Sequence, residues 1–220
     1  MISTQQCRIL ICDPHRLIVE LLERVLNLDA RCSVVATTTE NERSVELATE
    51  HQPDAVLLGT ADSRPDAFTV VGQIKSSSPR SQIILFGDAS PDIVLDQALR
   101  LKTSGFVLTN ESIGSLTDAV TSVVGGEQYF SPEIRNRLSF DPMRRAWQMR
   151  SPSQLASLTN RQLEVLRLLA HGQSVKEVAR GLHLSEKSVD SHKYRIMSKL
   201  NIHDRVELAR FAIREGLVSP

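Results

Sequence analysis

A carboxylate at Asp13 and a glycine at Gly59 set the first chemical question. Asp13 follows the apolar run RILIC (8–12), and Gly59 ends the run AVLLG (55–59). Gly87 and Asp88 close QIILFG (82–87), and Thr109 closes GFVLT (105–109). Short apolar runs bounded by turn residues read as strands buried on both faces. In an open α/β sheet, chemistry gathers at the carboxyl ends of such strands. Asp13, joined by Asp62 and Asp88 from loops at the same edge, could hold a cation or a ligand there. The same three carboxylates could equally be solvated loop residues or helix caps. Gly59 stands at the centre of that edge and offers no side chain at all.

A second chemistry lies near the other end. The stretch SEKSVDSHKYRIMSKL (185–200) places Lys187, Lys193, Arg195 and Lys199 beside Asp190, Ser191 and Tyr194, and Lys176 precedes it. Cations with interleaved polar and aromatic groups suit a polyanion. The charge balance agrees. Residues 1–130 hold ten basic against seventeen acidic side chains, and residues 131–220 hold sixteen against nine. A net charge of zero therefore hides an acidic half and a basic half.

The elements that must position these groups follow from periodicity. Five strands, the four runs above and CSVVAT (32–37), alternate with segments of helical spacing. Such alternation gives a doubly wound parallel sheet covered on both faces. In the first helical segment Leu17, Leu21, Leu22, Val25, Leu26 and Leu28 form the expected buried face. Later helices are expected to start near Glu40, Asp66, Asp92 and Ser112, the last ending at Gly125-Gly126. No G-x-G-x-x-G or P-loop occurs, so a nucleotide site is not expected. The three cysteines, Cys7, Cys12 and Cys32, form no C-x-x-C and read as small core residues. The N-terminal MISTQQCRILIC lacks a signal-peptide core and no apolar run is long enough to cross a bilayer, so a cytoplasmic location is expected.

The second half reads as helices. Thr159 with Gln162, and Ser174 and Ser185, are N-cap candidates, and Gly172 and Gly216 are stops. Two short helices joined by the tight turn GLHL, the second amphipathic with a basic outer face, follow helix-turn-helix logic. The alternative is a helical bundle with a solvated basic face.

The order and spacing of the five strand–helix units over residues 8–126 resemble the receiver domain of bacterial response regulators. The resemblance implies that the acidic pair after strand one is reduced to Cys12-Asp13, that the phosphate-accepting aspartate is Gly59, that the switch hydroxyl is Gly87 and that the lysine is Thr109. A receiver fold with a degenerate phosphorylation site, at Asp13, Gly59, Gly87 and Thr109, is the expectation. LTNRQLEVLRLLAHGQS, SEKSVDSH and KLNIHDRVELA resemble the DNA-binding domain of the LuxR/NarL/FixJ group. This implies a recognition helix over 188–199, base contacts from Asp190, Ser191 and Tyr194, and phosphate contacts from Lys176, Lys187, Lys193, Arg195 and Lys199. Asp190 stands where a non-acidic residue is usual; it is a specificity residue accepting from cytosine N4, or else a local salt-bridge partner. His192 is a DNA contact or a helix-packing residue. Val175 replaces a frequent Asn.

The expected architecture is a receiver-like (βα)5 domain over 1–130, a short helix and linker over 131–154, and a four-helix domain over 155–220. The linker carries the lone Trp147, expected to pin it to one domain. The last helix of this group often pairs two copies. That implicates Val206, Leu208, Ala209, Ala212 and Ile213, some of which must also close the core, and leaves Val206, Ala209 and Ile213 as the dimerisation residues. The expected function is DNA-binding transcriptional regulation as a homodimer on an inverted repeat, with no enzymatic activity, metal or cofactor. In the alternative, a small ligand, a protein partner or a cation at Asp13/Asp62/Asp88 controls DNA binding through the receiver-like half.

Overall fold

The computed structural model describes residues 6–60, 66–88, 92–151 and 154–218. The chain divides into two compact units, residues 1–89 with 98–148 and residues 90–97 with 149–220.

Along residues 7–124 β1 (Cys7–Cys12), β2 (Cys32–Thr38), β3 (Ala55–Gly59), β4 (Gln82–Gly87) and β5 (Gly105–Leu108) alternate with α1 (Arg16–Leu28), α2 (Asn41–His51), α3 (Asp66–Ser77), α4 (Asp92–Arg100) and α5 (Ile113–Val124). The strands lie parallel in the order β2-β1-β3-β4-β5. Parallel pairing needs a crossover long enough to hold a helix, and each αn supplies one. β3 is buried along its whole length because helices cover both faces of the sheet. Ser112 caps α5 by accepting a hydrogen bond from the Ser115 amide at 3.1 Å. Glu40 occupies the N-cap position of α2 without a side-chain cap.

Two features differ from the expectation. A sixth strand, β6 (Tyr129–Phe130), extends the sheet beyond the five, parallel to β5. Its close approach depends on Gly105, where an added Cβ would come within 2.6 Å of the Tyr129 carbonyl oxygen. In α1 the buried stripe is Val19, Leu22 and Leu26, whereas Leu17, Leu21 and Leu28 are exposed. The helix carries more apolar residues than one 100°-wide stripe accommodates, so the packing direction decides which of them enter the core.

Part of the stretch expected to be linker forms regular elements. α6 (Pro132–Arg137) is followed by two paired strands, β7 (Leu138–Asp141) and β8 (Ala146–Met149). A connection of four residues makes them a hairpin. Trp147 meets Phe130 edge-on at 5.9 Å between ring centroids and Phe140 at 5.5 Å. The hairpin is thus anchored on the strand that ends the receiver sheet. Replacing Phe140 with Ala is expected to redden Trp147 emission and to weaken the hairpin by about 1 kcal/mol, as read by steady-state fluorescence and urea unfolding.

The second unit contains a 3-10 helix (Gln154–Ser157), then α7 (Asn160–Ala170), α8 (Val175–Gly181), α9 (Glu186–Leu200) and α10 (Arg205–Arg214). Among the described residues no helix is long and apolar enough to cross a membrane.

Candidate nucleic-acid interface and sheet-edge site

At the sheet edge, neighbouring side chains fill the spaces left by the two glycines. Asp13 is 1% exposed. Its Oδ1 accepts the His15 backbone N–H at 2.8 Å and lies 2.9 Å from His15 Nδ1. Its Oδ2 occupies the volume beside Gly59: a Cβ added there would lie 1.8 Å from it. A Cβ added to Gly87 would lie 2.1 Å from Thr60 Oγ1. The Thr60 hydroxyl and amide both donate to the Phe86 carbonyl, at 3.2 and 2.8 Å. Thr109 Oγ1 donates to Asp88 Oδ1, and its amide donates to the Gly87 carbonyl at 2.8 Å.

At this edge Asp13 is engaged by His15, Thr60 by the Phe86 carbonyl and Thr109 by Asp88. Among the described residues no three His, Cys, Asp or Glu side chains cluster so as to hold a metal ion, and Asp62 lies outside those residues. Sequence reasoning missed Thr60 and His15. The signals were a hydroxyl directly after Gly59 and a histidine two residues after Asp13, the spacing of an Asx turn.

The thiols take no part. Burial pushes Cys7 up to about 12 and Cys12 up to about 11, so both stay protonated at neutral pH. Raised pKa values mean that the folded chain holds protons the unfolded chain releases. Stability from these groups is therefore lost as pH rises above about 9, the ordinary thiol value. Iodoacetamide at pH 8 is expected to leave the native protein unmodified at Cys7 and Cys12, as read by peptide mass after a brief exposure.

In the second unit, local hydrogen bonds fix where the helices start. Thr159 with Gln162, and Ser174 with Glu177, form complete capping boxes on α7 and α8. Ser185 caps α9 by accepting from the Ser188 amide at 3.1 Å. His183 takes a left-handed φ of 52° in the tight turn between α8 and α9. Val178, Ala179, Val189, Ile196 and Leu200 are buried, which turns the polar side of α9 outward.

On that outer side Lys187, Asp190, Ser191, Tyr194 and Arg195 are exposed, Tyr194 at 75%. A cleft of about 370 Å³ opens at the start of α9, lined by Ser185, Lys187, Ser188, Ser191, His192 and Arg195. Lys176 is exposed on α8. Lys193 Nζ lies 2.9 Å from Asp190 Oδ1, so these two expected DNA contacts engage each other. His192 is half-buried at this cleft, and its Nδ1 has no hydrogen-bond partner among the described residues.

Lys199, also expected at phosphate, is exposed and hydrogen-bonded within this unit. Its Nζ donates to the Ser157 carbonyl at 2.7 Å and to Gln162 Oε1 at 3.0 Å. That ties α9 to the start of α7. Lys199→Met is expected to cost this unit about 1–2 kcal/mol of stability, as measured by urea unfolding.

On α10 Leu208, Phe211 and Ala212 enter the core. Val206 and Ile213 are exposed and Ala209 is half-buried, at spacings that share one side of the helix.

Comparison with known proteins adds relatives over most of the chain. Residues 156–212 match the model of bacterial regulatory proteins of the luxR family, and residues 9–121 match the response regulator receiver domain. The Fimbriae Z protein of Salmonella typhimurium is 30% identical over 204 residues, covering 93% of this chain and 95% of that protein. The transcriptional regulatory protein LnrK of Bacillus subtilis is 28% identical over 216 residues, covering 96% and 98%. A solved structure of RcsB from Salmonella enterica serovar Typhimurium, bound to promoter rprA in the presence of the phosphomimetic BeF3-, superposes with a TM-score of 0.67 at 19% identity, covering 94% of this chain and 98% of that one.

Proposed function

The chain belongs to the bacterial response regulators that join a receiver domain to a LuxR-type DNA-binding domain, and from that premise we propose that it regulates transcription by binding duplex DNA without a phosphorylation step on its receiver. The observation that carries the proposal is the Asp13 carboxylate packed into the space beside Gly59. Forming an acyl phosphate requires a carboxylate oxygen to attack phosphorus while the donor leaves. Position 59 has no such oxygen. Asp13 is buried and its Oδ1 is engaged by His15. The phosphoryl oxygens would find Thr109 bonded to Asp88 in place of a lysine.

On DNA, the start of α9 enters the major groove. Ser191, Tyr194 and Asp190 read base edges, while Lys176, Lys187, Arg195 and Lys199 take phosphates, with Lys193 shared between phosphate and Asp190. Val206, Ala209 and Ile213 pair two copies across a twofold axis, which matches the protein to an inverted repeat. The site of action is the cytoplasm. A selection on randomised duplex DNA, with full-length protein and residues 151–220 side by side and no phosphodonor, tests this. Enrichment of one inverted repeat by the full-length protein is expected. Enrichment only after addition of a phosphodonor sinks the proposal.

A second reading, in which a small ligand or a protein partner acts through the receiver, is favoured by one observation. A cleft of about 470 Å³ lies beside Gly59, lined in part by Thr39, Glu40, Asn41, Thr69 and Gln73. In that case only the short fragment would enrich a site.

A further inference from the structure

Between Arg135 and Arg150 the chain carries five arginines, no lysine and one acid, Asp141. This segment follows an acidic stretch, residues 1–130, which DNA would repel. The hairpin β7–β8 presents part of that charge at its tip, where Met143 is 91% exposed and Arg144 and Arg145 are exposed beside it. Trp147 anchors the base between Phe130 and Phe140. The single acid is occupied: Asp141 Oδ1 accepts the Met143 and Arg144 amides at 2.9 and 3.1 Å, and its Oδ2 lies 3.6 Å from Arg144 Nε. Arg145 holds a left-handed φ of 50°, and among the described residues no acid pairs with it. Folding thus fixes a tip that leaves an unbranched apolar side chain and two guanidinium groups in water.

We infer that this hairpin tip is a second DNA-binding element, in which Arg144 and Arg145 take phosphates and Met143 lies in the adjoining minor groove. The inference rests on the DNA-binding function proposed above. Arginine is the cation whose planar fork matches a phosphate, and its pairing with an apolar side chain is the chemistry of minor-groove insertion. Chain length permits simultaneous engagement. Arg145 precedes Leu155 by ten residues, a reach of at most ~35 Å.

The test measures binding of the full-length protein to a random-sequence duplex of about 40 base pairs as salt is varied. Counterion release makes each phosphate contact worth about 0.9 in the slope of log affinity against log salt. Arg144→Ala/Arg145→Ala should flatten the slope by about 1.8 per bound protomer, and Arg144→Lys/Arg145→Lys should restore it, with Trp147 emission unchanged in both. An unchanged slope in the alanine variant, alongside a flattened slope in Lys187→Ala/Arg195→Ala, overturns the inference and leaves the proposed function standing. Wild-type protein that shows no salt-dependent DNA binding overturns both.

Discussion

Gly59→Ala lowers the stability of the receiver unit by about 2 kcal/mol, and the same change made in an Asp13→Ala background costs less than about 0.5 kcal/mol. The expectation follows from one distance. A methyl group at position 59 falls 1.8 Å from Asp13 Oδ2, inside any van der Waals contact. The carboxylate must then leave a site where the His15 amide and ring hold its other oxygen. Removing Asp13 opens the space, so the two losses do not add. The full-length protein is followed by urea unfolding, and an additive double variant would mean that the space is not shared. Gly59→Asp goes further. It brings a second carboxylate against a buried first one, and like charges in a desolvated site repel. Restoring the aspartate alone is therefore expected to give a destabilised receiver that gains no phosphoryl mass on treatment with a small-molecule phosphodonor and magnesium. A stable gain of one phosphoryl group in that variant would show that Asp13 moves aside readily.

The second large effect separates the roles of side chains on α9. Tyr194→Ala is expected to weaken binding to the selected site by about ten- to a hundredfold and binding to random DNA much less, because a base-edge contact is worth roughly 1–3 kcal/mol of discrimination. Arg195→Ala should weaken both by similar factors and flatten the salt slope by about 0.9 per bound protomer. Asp190→Ala should do the reverse on random DNA. It removes an acid from a surface facing phosphates and releases Lys193, now held at 2.9 Å, so random-sequence affinity rises while discrimination falls. Competition titrations with both duplexes read all three. A uniform loss in Tyr194→Ala would reassign that ring to the backbone, and a loss of random-sequence affinity in Asp190→Ala would make the acid structural.

Most of the architecture was legible because the signals behind it are local. Five runs of five or six residues fall within a residue or so of β1 to β5, since a strand covered on both faces needs little beyond continuous apolar character. The capping boxes at Thr159 and Ser174 were visible because their partners stand three residues away. The helix-turn-helix was legible for the same reason: its caps, turn and basic face lie within about thirty residues.

What escaped was set by distant neighbours. β6 is two residues long and exists because Gly105 admits it. The segment 138–149, with its proline and arginines, carries weak strand propensity and becomes a hairpin through the aromatic contacts of Trp147. The hydrogen bonds of Lys199 to the Ser157 carbonyl and the Gln162 side chain join residues 42 and 37 positions apart, beyond any local signal. The leucines of α1 satisfied a helical period, but only the sheet's position decided that Leu17, Leu21 and Leu28 stay outside.

The sequence by itself determined that position 59 holds no nucleophile, because glycine has no atoms to react. Only the tertiary structure decided what stands there instead. Parallel pairing of β1 with β3 brings Asp13 against Gly59, and pairing of β3 with β4 brings Thr60 against Gly87. Close packing around each glycine lets the side chain next door take the volume that the glycine gives up.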